Sequence, residues 1–127
     1  MQSPELARDV YRRIQDKPDS FRMRSWGVLL GQGRYAACLA GHTLLASGYE
    51  LAADDMFCSP GGSIISDPGE EAFLLLGLTR KEYRRGVHWW KCNIFCENAP
   101  EDAALDNFLQ VIIEEEQSRP VLASLLR

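Results

Sequence analysis

The sequence predicts a mainly α fold: a compact multi-helix domain around a buried central helix, with one small β-hairpin. Three observations carry that expectation. Apolar residues recur at helical spacing in the first and last thirds of the chain. The run Tyr35 to Ala46 is apolar on almost every side. Capping signatures recur ahead of apolar stretches at Asp67, Thr79 and Asn98.

Ser3 before Pro4 reads as a helix N-cap and first position, and Leu6, Ala7, Val10, Tyr11 and Ile14 follow at helical spacing. Lys17-Pro18 stops that helix, expected over 4–16, with Arg8, Arg12 and Arg13 outside. Residues 19–34 hold Phe21, Met23, Trp26 and Gly31-Gln32-Gly33, which suggests an irregular segment pinned by aromatic anchors. The central helix is expected over 35–47. Its small residues Ala36, Ala37, Ala40 and Gly41 would let neighbouring helices approach, and Gly48 would end it.

Between residues 49 and 66 the helical period breaks. Tyr49, Leu51 and Phe57 precede Ser59-Pro60-Gly61-Gly62, and Ile64-Ile65 follow, the pattern of a hairpin. Asp67-Pro68-Gly69-Glu70 is an N-cap with its capping-box partner, opening a helix over 68–77 that Gly77 closes. Thr79 with Glu82 opens a helix over 80–90, and Asn98 with Glu101 opens the last over 99–118, burying Ala104, Leu105, Phe108, Leu109, Ile112 and Ile113. Leu39, Leu44, Leu75, Leu78, Phe108 and Ile112 are the expected core. Residues 120–127 read as an amphipathic tail that docks or frays on a single domain spanning 1–127.

Size and composition agree with one domain. A 14.3 kDa chain folds about 20,700 Å² of surface down to about 6,800 Å², enough burial to hold a core without disulfides. No stretch reaches the roughly 18 apolar residues of a membrane span, and Met1-Gln2-Ser3-Pro4-Glu5 lacks the regions of a signal peptide, so a cytoplasmic protein with no membrane partner is expected. Charge comes in blocks: residues 1–34 carry seven Lys/Arg and four Asp/Glu, 35–79 none and six, 80–91 five and one, 92–127 two and seven. The net charge of −4 argues against nucleic acid as a partner, because duplex binding relies on many phosphate contacts.

Two constellations could carry chemistry. Cys38 and His42 stand four apart, as do Cys92 and Cys96, so two helix faces could assemble a zinc site or a Cys/His-dependent enzyme centre. Buried core thiols and a histidine bonded to a carbonyl are the preferred reading, so no metal, cofactor or catalytic residue is expected. Asp54-Asp55 reads as a solvated turn rather than a cation site. Arg80, Arg84, Arg85 and Trp89 interleave cations with aromatic surface, the combination enriched at protein-binding hot spots.

Trp26, the Cys38-Leu39-Ala40-Gly41-His42 helix, the hairpin, Glu71-Ala72 through Leu76-Gly77-Leu78-Thr79 and the helix after Asn98 together resemble a family of small helical proteins of actinobacteria and their phages. In that family a tryptophan precedes a C-x-A-G helix and an L-G-L-T turn follows. The resemblance covers about residues 10–115. Such chains often carry another cysteine or glycine where this one has Gly31-Gln32-Gly33-Arg34, and an aromatic where it has His42. The resemblance implies a fold and a genomic setting but no catalytic residue. The expected function is therefore that of a small accessory or regulatory protein acting through an unknown protein partner.

Overall fold

The computed structural model describes residues 3–77 and 101–118. Within them the chain runs α1 (Pro4–Asp16), a 3-10 turn (Pro18–Ser20), β1 (Val28–Gly31), β2 (Arg34–Ala36), α2 (Leu39–Ala46), β3 (Glu50–Ala53), β4 (Met56–Cys58), α3 (Pro68–Leu75) and α4 (Glu101–Ser118). β1 pairs with β2 and β3 with β4, each as a separate antiparallel two-stranded sheet. The fold is therefore mixed α/β, which corrects the expectation of a mainly α domain with one hairpin.

The additional hairpin lies in the segment read as irregular. Gln32 and Gly33 connect β1 to β2 with φ of 55° and 74°, the paired left-handed backbone of a type I′ turn, whose twist matches that of the strands it joins. The register slips by one residue between Leu29 and Gly31, leaving Leu30 as a bulge. The β3–β4 hairpin also slips by one residue, between Leu51 and Ala53, but of its two turn residues Asp55 alone is left-handed, at φ 58°. Its turn is thus Asp54-Asp55. Ser59 to Gly62 forms a further turn that returns Ile64 to Cys58 through an isolated bridge.

The new hairpin also shortens the central helix. Tyr35 and Ala36 belong to β2, Ala37 exchanges backbone hydrogen bonds with Ser20 and Arg22, and Cys38 caps a helix that spans 39–46 instead of 35–47. The helical preference of two alanines is small beside two backbone hydrogen bonds made in a buried setting. Leu39 through Leu44 are then buried without a break.

α1 runs to Asp16 and buries Pro4, Ala7, Val10 and Ile14. Ser3 occupies its N-cap position without a side-chain cap; its backbone N–H donates instead to the Leu76 carbonyl, 3.1 Å away, joining the start of α1 to the end of α3. Asp67 Oδ1 accepts from the Glu70 N–H at 3.1 Å, and Gly77 leaves α3 with φ 85°. α3 buries Pro68, Gly69, Ala72 and Phe73, and Leu76 is buried at its C-cap, whereas Leu75, expected in the core, is only half-buried. α4 buries Ala104, Phe108, Val111 and Ile112. Ala72, Phe73, Leu76 and these α4 residues close one cluster with Met23, Leu39 and Ala40. Leu78 and the helix expected over 80–90 lie outside the described residues.

Candidate functional site

The β1–β2 hairpin stands between two surface cavities, and its root is held by the turn of its neighbour. Asp54 Oδ1 accepts from the Leu29 N–H at 2.9 Å, Asp55 Oδ1 accepts from the Gly27 N–H at 3.2 Å, and the Asp55 N–H donates to the Gly27 carbonyl. The two carboxylates thus cover donors along the outer edge of β1. They serve as backbone acceptors, which gives a specific role to residues the sequence showed only as a turn.

On one side of the hairpin lies a groove of about 560 Å³ lined by Leu29, Leu45, Tyr49 and Leu51, with Arg34 and Glu50 as the charged residues among the described lining. Leu29 is 50% exposed. The Tyr49 hydroxyl donates to Glu71 Oε2 at 2.7 Å; burial first, then the bond to this carboxylate, pushes the phenol up to about 12. Tyr49 therefore presents its ring to the groove with its hydroxyl already committed. On the other side, a cavity of about 390 Å³ runs between the end of α1, the 3-10 turn and Leu30, Arg34 and Tyr35 of the hairpin. A smaller one of about 220 Å³ adjoins it, shares Asp16, Lys17, Ser20 and Tyr35, and adds Arg13.

His42 lies fully buried beneath this second region, against the rings of Phe21 and Tyr35. Its Nε2 is 2.7 Å from the Ser20 carbonyl oxygen, which fixes the proton on Nε2 because a carbonyl can only accept. Nδ1, which then carries the lone pair, is buried with no hydrogen-bond partner among the described residues. Ser20 Oγ is 3.5 Å from Nε2 but donates to the Lys17 carbonyl at 2.6 Å. A nucleophile–base pair would need a free lone pair on Nε2, so Ser20 and His42 are arranged as a structural link. Burial also lowers the imidazole's proton affinity.

Cys38 is equally ill placed for chemistry. Its sulfur accepts from the Gly41 N–H at 3.5 Å as the cap of α2, and burial pushes the thiol up to about 11. Although Cys38 and His42 stand four apart in sequence, each side chain is committed to a different backbone partner. Among the described residues no group of three His, Cys, Asp or Glu side chains is placed to hold a metal ion. Cys92 and Cys96, and the expected binding residues Arg80, Arg84, Arg85 and Trp89, lie outside the described residues.

The groove residues Leu29, Arg34, Tyr49, Glu50 and Leu51 were not singled out as a site by sequence reasoning. The available signal was Gly31-Gln32-Gly33 between Val28-Leu29-Leu30 and Arg34-Tyr35-Ala36, two short runs about a turn-forming pair. No family model, curated protein or solved structure matches the chain. No helix among the described residues is long and apolar enough to cross a membrane.

Proposed function

We propose that this chain is a non-enzymatic accessory or regulatory protein of the cytoplasm, in an actinobacterial or phage setting, that works by binding another protein through the groove between its two hairpins. The observation that supports this reading most directly is the half-exposed Leu29 over an apolar groove with one cation and one carboxylate among its lining residues. Exposed apolar surface with a polar rim is the composition of a recognition surface. The alternative of a Cys/His enzyme gains nothing from Cys38 and His42: both are buried, the Cys38 sulfur caps α2, and His42 Nε2 is bonded to the Ser20 carbonyl.

The test pairs affinity capture from host lysate with a groove variant. Wild-type chain retains a stoichiometric partner. Leu29→Asp, at an exposed strand position, loses it by about 2 kcal/mol or more while melting normally. Equal retention by both proteins would remove the groove from consideration as the binding surface.

A further inference from the structure

The lining of the groove suggests which protein occupies it in the isolated chain, and this step rests on the groove being a protein-binding surface. We propose that its occupant is a second copy of this chain, docked about a two-fold axis so that the β1–β2 hairpin of each protomer enters the groove of the other.

Three features on one face make the surface complementary to itself. The first is a projection: a Cβ built at either Gly31 or Gly33 meets nothing within 4 Å among the described residues, and the exposed Leu29 stands behind this hairpin tip. The second is the adjacent recess lined by Leu45, Tyr49 and Leu51. A knob beside a hole on the same face is the requirement of an isologous interface, in which each patch meets its own copy. The third is charge. Arg34 lies on the projecting hairpin and Glu50 on β3, both line the groove, and neither makes an ion pair with another described residue. A two-fold operation that seats the hairpin of one protomer in the groove of the other brings Arg34 to Glu50 twice.

The hairpin suits a docking role. Its type I′ turn fixes the tip, and Asp54 and Asp55 brace its root, so little ordering cost is added on association. Because Asp54 already engages the Leu29 N–H, the contact is made by side chains and does not extend the sheet.

Charge reversal tests the pairing. Sedimentation of the full chain across a concentration series should give a dimer. Arg34→Glu protomers carry only acids at these two positions and Glu50→Arg protomers only bases, so each alone should self-associate at least about tenfold more weakly. An equimolar mixture of the two variants should restore the dimer, now between unlike protomers, and high salt should weaken it. Matching melting curves confirm that both variants fold. A wild-type chain that stays monomeric, single variants that dimerise as wild type does, or a mixture that restores nothing would each overturn the proposal. If the chain is monomeric and Leu29→Asp still abolishes partner capture, this inference fails and the groove remains the surface for a different protein. If partner capture is also unchanged, both readings fall.

Discussion

Gly41 lies directly beneath the carbonyl oxygen of Trp26, so close that a Cβ at position 41 would overlap that oxygen and sit 2.8 Å from the Ala37 Cβ. A glycine in mid-helix costs about 1 kcal/mol relative to alanine, and the approach of the Trp26 backbone explains why one stands here. Gly41→Ala should therefore reverse the usual sign. The helical gain of about 1 kcal/mol is set against an overpacking cost of about 1–3 kcal/mol, with the neighbouring atom rigid backbone rather than a side chain that could move away. Chemical denaturation should show a net loss of up to about 2 kcal/mol; a stabilised variant would contradict the close approach.

His42 makes stability depend on pH in a definite direction. Its proton affinity is lowered in the folded state, chiefly by burial and further by the positive charge of Arg13, despite the favourable bond to the Ser20 carbonyl. The unfolded chain therefore binds more protons below the ordinary histidine value of about 6.5. The contribution of His42 is complete above that pH and declines as pH falls from there towards the folded value. Urea midpoints should drop between pH 7 and pH 5, and the slope over that window should be reduced in His42→Gln, itself less stable. Since the chain holds one other histidine, His88, the variant also assigns the imidazole resonance in an NMR titration.

Cys38 should resist alkylation. With its thiol pushed up to about 11, on the order of a thousandth is thiolate at pH 8, and the residue is 1% exposed. Peptide mapping after brief iodoacetamide treatment should find Cys58, which is partly exposed, modified well before Cys38. Rapid labelling of Cys38 in the folded protein would overturn its assignment as a structural cap.

The Asp55 position separates backbone demand from hydrogen bonding. Its left-handed φ of 58° is tolerated by Asp and Asn, and its side chain accepts from the Gly27 N–H. Asp55→Asn keeps both properties and should lie within about 0.5 kcal/mol of wild type. Asp55→Ala loses the acceptor and fits the backbone less well, at a cost of about 1–2 kcal/mol. Equal stabilities in thermal or urea denaturation would show that this brace contributes nothing.

The helices were legible where one residue type acts locally. Lys17-Pro18 ends α1, and Asp67 with Glu70 opens α3, because caps and breakers act within a single turn. The buried face of α4 was readable from Ala104, Phe108 and Ile112 for the same periodic reason. Tyr35 to Cys38 defeated that reading. Local preference favoured helix for Ala36 and Ala37, whereas pairing with Ser20, Phe21 and residues of β1 decided their conformation. The groove was invisible because Leu29 and Glu50 are 21 positions apart and unremarkable singly; only the placement of two hairpins side by side brings them together.

Arg8 and Glu116, bonded to one another across 108 residues, set a timetable for synthesis. α1 is made before α4, yet part of the cover for Ala7, Val10 and Ile14 comes from α4. At about 5–20 residues per second, the nascent helix waits on the order of 5–20 s outside the ribosome with that flank uncovered. During this interval α1 is accessible to chaperones and to other nascent chains, and release from that exposure comes only when the distal helix has emerged.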